Sequence, residues 1–197
     1  MDFMHSITRE NLMRAFAGES QARNRYTFAA SAAKKQKMHV VEELFTFTAS
    51  QEKEHAEIFY KLLKEASGDK VHIDADYPVD VTDDVLALLR AAQQHEYEEH
   101  SPIYSSFAQV AQNEGFTKVA DAFTYIAAIE KIHGDRFGRY ADMMQNGTLF
   151  AANGQEQWMC LNCGHVHIGE RAPAVCPVCE HDQGYYIRLA AAPYEGA

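Results

Sequence analysis

The sequence predicts an all-α bundle of four long helices, followed by a small metal-binding module of mostly β and loop structure. Apolar residues recur with helical spacing through residues 1–146, which contain no cysteine, whereas all four cysteines lie within residues 157–197. Between these parts, residues 147–156 are a stretch of small residues with glycine, which is typical of a linker. We therefore expect a bundle over 1–146, a linker over 147–156 and the module over 157–197.

The four predicted helices are bounded by residues that cap or interrupt helices. Gly68 is suited to the left-handed position that ends the second helix. Thr82 is suited to the N-cap of the third helix, and two aspartates follow it where a helix N-terminus favours negative charge. Pro102 falls inside the third helix, where it removes one backbone hydrogen bond and favours a kink. The predicted ranges are 8–35, 38–66, 83–115 and 117–146.

The connections between the helices predict how they are arranged. The first and third connections are short, so each joins an antiparallel helical hairpin. The middle connection, residues 67–81, reaches about 50 Å when extended, and a helix of roughly 29 residues is about 44 Å long. This segment can therefore cross the bundle from end to end. Two hairpins joined by one long crossover form the ferritin-like arrangement.

Acidic residues and histidines interrupt the apolar stripe near the middle of each predicted helix. Burying an ionised carboxylate without a partner costs several kcal/mol, and no lysine or arginine lies on these stripes to neutralise the charge. One Glu from each of two helices and Glu-x-x-His from each of the other two is the ligand set of di-iron and di-manganese bundles. The alternative is that some of these glutamates line a solvated face. The candidate ligands are Glu19, Glu52, His55, Glu96, Glu99, Glu130 and His133.

The four cysteines form a second candidate metal site. Cys160, Cys163, Cys176 and Cys179 follow the pattern C-x2-C-x12-C-x2-C, which brings four thiolates into a tetrahedron. Such a site holds zinc or iron, and the spacing does not choose between them. Iron would make the module a one-electron carrier, whereas zinc would make it a structural ribbon.

Composition and charge exclude several classes of function. The net charge of −10 argues against a general nucleic-acid binder and against binding to an anionic membrane surface. The sequence contains no apolar run long enough to span a bilayer, and its start lacks the apolar region of a secretory signal. We therefore expect a cytoplasmic protein.

Longer motifs are similar to one known family. They are ENLMRAFAGESQARNRY at 10–26, EKEH at 52–55, Glu96-x-x-Glu99 followed by Tyr104, FAQVAQNEGF at 107–116, AIEKIHGDRF at 128–137 and the cysteine module. Over nearly its whole length, the chain resembles the rubrerythrins. The resemblance implies a ferritin-like domain that holds two iron ions, followed by a rubredoxin-like domain that holds one iron on four cysteines.

The resemblance also implies an activity and partners. Rubrerythrins are cytoplasmic peroxidases that reduce hydrogen peroxide to water and so protect against oxidative stress. Their electrons come from NAD(P)H through an external donor such as rubredoxin or an NAD(P)H-dependent reductase, and they are commonly homodimers, some of them domain-swapped. The seven candidate ligands match the di-iron ligands of the family, with Glu99 matching a carboxylate that exchanges with the histidine matching His55. Tyr26 and Tyr104 match tyrosines near the metals, so Glu99, Tyr26 and Tyr104 are the candidate catalytic residues.

Two other functions fit the same residues. An iron-oxidising or iron-storage protein would use the same bundle without needing the cysteines. A non-enzymatic binding module would combine a bundle with a structural zinc ribbon.

Overall fold

The structure is a computed structural model that describes residues 1–193 and contains the predicted helical bundle. None of the helices in these residues combines the length and the apolar character needed to cross a membrane. The helices are α1 (Ile7–Lys35), α2 (His39–Leu62), α3 (Val85–Glu98), α4 (Ser105–Glu114) and α5 (Thr117–Gln145).

The helix ends differ from the prediction at two places. The second helix ends at Leu62, and a short 3-10 turn over Lys64–Ala66 follows it. The N-cap of α3 is Asp84, whose carboxylate accepts hydrogen bonds from the backbone N–H groups of the next turn. Thr82 instead accepts a hydrogen bond from the backbone N–H of Asp84 at 3.1 Å. The predicted N-cap, Thr82, is therefore wrong, and the carboxylate of Asp84 caps α3 instead.

The third predicted helix is not continuous. A π-helical segment over Glu99–Tyr104 separates α3 from α4, and Ser101 inside it has an extended backbone with φ −158° and ψ 125°. Pro102 cannot donate a backbone hydrogen bond, and its ring disfavours the helical conformation for the residue before it. The proline therefore interrupts the helix rather than only bending it.

The long crossover connects the two hairpins and is tied to α1 by side chains. Arg14 donates from Nε to the carbonyl of Asp74 at 3.1 Å, and the hydroxyl of Tyr77 donates to the carbonyl of Arg14 at 2.9 Å. Further along, Arg25 forms an ion pair with Asp80 at 3.2 Å. The predicted four-helix arrangement with one long crossover is therefore confirmed, with the third helix in two parts.

A polar layer divides the apolar core of the bundle into two clusters. The first cluster contains Tyr26, Phe45 and Phe137 and lies towards the turn between α1 and α2. The second contains Phe59 and Phe123 and lies towards the other end. Each buried aromatic side chain contributes about 1.5–3 kcal/mol relative to exposure, so the two clusters hold the helices together on both sides of the layer.

The C-terminal module is a small antiparallel sheet. The strand order is β2-β1-β3, with β1 (Ala151–Cys160) in the centre between β2 (Val166–Arg171) and β3 (Tyr186–Arg188). Residues 151–156, which were expected in the linker, belong to β1 because their backbone pairs with β2 around a bulge. Small residues and glycine are typical of linkers, but the pairing of residues 151–156 with a neighbouring strand includes them in the sheet.

The module packs against the turn between α1 and α2. The ring of His39, at the start of α2, stacks on Tyr185 with centroids 3.8 Å apart. Ile187 belongs to the same apolar cluster as the bundle residues near this turn. Gly184 lies so close to the turn that a Cβ atom there would be 1.8 Å from the carbonyl oxygen of Lys37.

This contact predicts the effect of adding one methyl group. We expect Gly184→Ala to destabilise the protein by about 1–3 kcal/mol, because a backbone oxygen cannot move aside as a side chain can. Thermal unfolding and limited proteolysis measure the effect. The matched control is Gly154→Ala, since no atom outside Gly154 and its two chain neighbours lies within 4 Å of a Cβ at that position. Equal unfolding midpoints for the two variants would contradict the packing described.

Candidate metal centres

Six of the seven predicted bundle ligands meet in the polar layer. They form two groups, and the ligand atoms in each group lie within 4.8 Å of one another. Glu52 and Glu130 belong to both groups. Glu19 and His55 complete one group, and Glu96 and His133 complete the other. All of these residues are buried.

The two shared glutamates are oriented as bridges. Glu52 places Oε2 3.1 Å from Nδ1 of His55 and Oε1 2.9 Å from Nδ1 of His133. Glu130 also contacts both histidines, with Oε1 3.0 Å from Nδ1 of His55 and Oε2 2.9 Å from Nδ1 of His133. Each shared carboxylate therefore offers one oxygen to each of the two groups.

Several of these atoms are buried but lack hydrogen bonds. Both oxygens of Glu130 and Nδ1 of His133 are close to neighbouring polar atoms, but neither these atoms nor Nε2 of His133 make a hydrogen bond of suitable geometry within residues 1–193. The same lack of a hydrogen bond applies to one carboxylate oxygen in each of Glu19, Glu52 and Glu96. Buried polar atoms are nearly always paired in proteins, and unpaired buried charge costs several kcal/mol. The side chains present therefore fit two cations, each of which would take one group of oxygen and nitrogen ligands.

The pKa values in the layer are strongly perturbed. Burial, followed by repulsion from neighbouring carboxylates, raises the pKa of Glu19 and Glu96 well above the ordinary value. Burial opposes ionisation of Glu52 as well, but contacts with the two histidines outweigh it and lower its pKa to about 2. Burial opposes protonation of His133, yet Glu130, Glu52 and Glu96 raise its pKa to about 11. A metal must displace such protons, so metal binding releases protons here.

A tyrosine orients each of the two unshared glutamates. The hydroxyl of Tyr104, in the π-helical segment, donates to Oε1 of Glu19 at 2.5 Å. The hydroxyl of Tyr26, on α1, donates to Oε1 of Glu96. Burial and the nearby carboxylates raise the pKa of both tyrosines well above the ordinary value. Both hydroxyls therefore keep their protons and act as hydrogen-bond donors.

Glu99 lies beside the two groups rather than inside either of them. It is half-buried, whereas the other four site carboxylates are buried. Burial and then the charges of Glu96 and Glu130 raise its pKa well above the ordinary value. Its position as a metal ligand stays a prediction, and the structure places it at the edge of the layer, next to a surface cleft.

The four cysteines converge as the sequence predicts. The sulfur atoms of Cys160 and Cys179 are 3.7 Å apart, as are those of Cys163 and Cys176. A metal–sulfur bond of about 2.3 Å implies an edge of roughly 3.8 Å for a sulfur tetrahedron. The spacing of these sulfur atoms therefore fits one tetrahedral metal ion.

Two similar turns hold the thiols. The N–H of Gly164 donates to the carbonyl of Cys160 at 2.8 Å, and the N–H of Glu180 donates to the carbonyl of Cys176 at 3.0 Å. Gly164 and Glu180 both have left-handed backbone conformations, with φ of 76° and 62°. Glycine adopts this conformation without strain, whereas glutamate does so at some cost. The two turns present their sulfur atoms to a common centre.

Some residues around the layer were not singled out from the sequence. Arg136, one turn beyond His133, donates to Gln51 at 3.0 Å and so joins α5 to α2. Gly18, directly before Glu19, and Tyr77, on the crossover, line the cleft beside Glu99. A glycine inside a long predicted helix is costly, so Gly18 was a detectable signal. No local pattern indicated Tyr77, because its contact depends on the path of the crossover.

The bridging position of Glu130 predicts a specific loss of metal. We expect Glu130→Gln to reduce the metal bound by the Glu/His layer from two ions per chain, because a neutral amide replaces a carboxylate shared by both groups. Elemental analysis of purified protein measures this, and the metal on the cysteines should be unchanged. The control is Glu43→Gln, at an exposed position of α2. Full loading of the Glu130→Gln variant would contradict the bridging role.

Comparisons with known proteins agree with this geometry. The family profile described as "Rubrerythrin" matches residues 10–141, and that described as "Rubrerythrin, rubredoxin-like domain" matches residues 158–187. The chain is 45% identical to a rubrerythrin of Clostridium perfringens over 91% of this chain and 92% of the relative. It is 39% identical to a rubrerythrin of Nitratidesulfovibrio vulgaris over 93% of this chain and 95% of the relative.

Solved structures show the same fold. A fully reduced, all-ferrous nigerythrin aligns with a TM-score of 0.63 and 29% identity, over 92% of this chain and 86% of that chain. A Desulfovibrio desulfuricans bacterioferritin, solved with its diiron site in different catalytic states, aligns with a TM-score of 0.64 and 21% identity, over 72% of this chain and 81% of that chain. The second likeness supports the ferritin-like fold alone. Together with the residues present, these matches assign the Glu/His layer as a di-iron site and the cysteines as a rubredoxin-like site.

Proposed function

Because the chain belongs to the rubrerythrin family, we propose that it is a cytoplasmic peroxidase that reduces hydrogen peroxide to water. In this proposal, electrons from NAD(P)H reach it through an external donor, such as rubredoxin or an NAD(P)H-dependent reductase. The family is one of oxidoreductases with a di-iron and a rubredoxin-like domain, and such a protein serves in protection against oxidative stress. The presence of both metal sites in one chain is the observation that carries the proposal.

The stoichiometry of the reaction matches the two kinds of site. Reduction of one hydrogen peroxide to two waters takes two electrons and two protons. When bound, the two iron ions supply one electron each and polarise the oxygen atoms of the substrate. The four-cysteine site takes up single electrons and is suited to restoring them one at a time. A protein that only stored or oxidised iron would have no use for this second site.

The side chains of this protein hold the protons that the reaction needs. Tyr104 and Tyr26 keep hydroxyl protons directed at Glu19 and Glu96. Glu99 lies between the layer and the cleft, where it can exchange protons with solvent and pass them inward. These three residues are therefore the proposed catalytic residues, with Glu99 also the carboxylate best placed to change position as the charge of the site changes.

The distance between the two sites supports a homodimer. The module contacts the start of α2 at His39, and the rise along the helix from His39 to Glu52 is about 20 Å. Electron tunnelling falls exponentially with distance, so transfer inside one chain is slow. A dimer in which the module of one chain approaches the di-iron layer of the other, including a domain-swapped dimer, shortens the path.

Replacing one cysteine separates peroxide chemistry from electron supply. We expect Cys176→Ser to leave single-turnover oxidation of the chemically reduced protein by peroxide within about twofold of wild type. NADH-coupled turnover with the external donor should fall to the background rate, because the four-cysteine site can no longer relay electrons. The control is Glu170→Gln, at an exposed position on β2. Persistent NADH-coupled turnover would contradict the relay, and oxygen-driven iron mineralisation without peroxide reduction would favour the storage function.

Removal of the Tyr104 hydroxyl tests the proposed proton donor. We expect Tyr104→Phe to lower kcat by roughly 10- to 100-fold, because a hydrogen bond to a charged group contributes about 1.5–3 kcal/mol. Steady-state kinetics with peroxide measure kcat and KM separately. The control is Tyr140→Phe, another buried tyrosine, whose ring packs in the first apolar cluster. A kcat equal to that of the control would exclude Tyr104 from the chemistry.

A further inference from the structure

A surface cleft reaches the metal layer at Glu99. Its volume is about 330 Å3, and it lies between α1, the crossover and the π-helical segment. The crossover contributes Tyr77 to its wall, and Glu99 and Tyr104 lie at its inner end. Tyr104 is almost fully buried and donates to Glu19, so the inner end of the cleft adjoins the first group of ligands.

Gly18 lines this cleft close to both Tyr77 and Glu99. A Cβ atom built on Gly18 would be 3.7 Å from Cε1 of Tyr77 and 3.9 Å from Oε1 of Glu99. These are ordinary contact distances for a carbon atom. One methyl-sized atom over Gly18 therefore touches both the aromatic ring and the carboxylate. A group bulkier than a methyl at this point would have to displace the Tyr77 ring or the Glu99 side chain.

Tyr77 lies in the crossover, an irregular segment, and a single hydrogen bond joins its side chain to α1. Its hydroxyl donates to the carbonyl of Arg14, inside α1, at 2.9 Å. Its ring is partly exposed on the outer side. Burial and the charge of Glu99 raise the pKa of Tyr77, consistent with the closeness of ring and carboxylate. Tyr77 thus forms the outer wall of the passage without belonging to the bundle.

A second opening also approaches the layer. An apolar groove of about 710 Å3 between α2 and α5 ends at His55. Its lining includes Ile58, Ala122 and Ile126. The carboxylate in this lining, Glu54, is exposed, whereas Glu99 is half-buried beside the layer. For a small polar substrate that must arrive together with protons, the cleft at Glu99 is the more suitable entrance of the two.

We propose that the cleft under Tyr77 is the route by which hydroperoxide reaches the metal layer, and that Tyr77 and Gly18 restrict the substrate to unsubstituted hydrogen peroxide. This proposal rests on the proposed peroxidase function. Tyr77 and Gly18 act as residues that determine specificity, because they set the width of the passage and take no part in the chemistry.

The first test compares substrates of different width. We expect Tyr77→Ala to raise the ratio of kcat/KM for cumene hydroperoxide to kcat/KM for hydrogen peroxide by at least about tenfold. We expect Gly18→Leu to lower kcat/KM for hydrogen peroxide by about tenfold or more, and Gly18→Ala to lower it less. Tyr77→Ala removes no hydrogen bond to any of the seven candidate ligands, so it tests the proposal even if Gly18→Leu fails to bind metal. A ratio within about twofold of wild type in Tyr77→Ala would overturn the proposal.

The second test does not depend on peroxidase activity. Azide binding to the oxidised, iron-loaded protein is followed by optical absorption after rapid mixing. The association rate should fall about tenfold in Gly18→Leu and rise in Tyr77→Ala, if entry passes between these residues. The matched control is Ala122→Leu, which narrows the α2–α5 groove and should leave the rate unchanged. A slow rate in Ala122→Leu with a normal rate in Gly18→Leu would place the entrance in the groove and overturn the proposal.

The two tests distinguish failure of the route from failure of the function. If the wild-type protein reduces no hydroperoxide, the proposed function fails, and the azide association rates still decide whether the cleft is the entrance. If it reduces hydrogen peroxide and the Tyr77 and Gly18 variants behave as wild type in both tests, the route alone is wrong.

Discussion

The convergence of buried carboxylates on two shared cations is the constraint on which the rest of the structure depends. Glu52 and Glu130 each present one oxygen to either side of the layer, and both oxygens of Glu130 lack hydrogen bonds within the described part of the chain. Without cations, such a layer would oppose folding through repulsion and desolvation. With them, the same side chains join helices from both hairpins. The apolar clusters on either side then exclude water from a centre that is itself highly charged.

The interrupted third helix and the crossover together form the surface cleft beside this centre. Glu99 keeps helical backbone angles one turn beyond Glu96 and lies at the edge of the layer, and the π-helical segment that starts there brings Tyr104 against Glu19. The crossover covers the same region with Tyr77. Pro102 therefore shapes the backbone on the side of the metal layer that adjoins the surface cleft.

Much of the fold and most of the metal layer could be predicted from the sequence, because both depend on periodicity. Glu19, Glu52, His55, Glu96, Glu130 and His133 break apolar stripes at matching heights, and the spacing of the cysteines is specific on its own. Three features were not predictable from local pattern: the extent to which Pro102 interrupts the helix, the pairing of residues 151–156 in a sheet, and the position of Tyr77. Each depends on contacts between segments that are distant in sequence.

Acidic side chains from both hairpins are buried together because two iron ions bind between them. Anomalous X-ray diffraction at the iron absorption edge, on crystals of iron-loaded protein, tests it most directly. We expect two separate iron peaks between Glu52 and Glu130, one beside His55 and the other beside His133, and a third among the four cysteines. A hydrated pocket without iron between Glu52 and Glu130, in protein whose cysteine site is fully loaded, would contradict it.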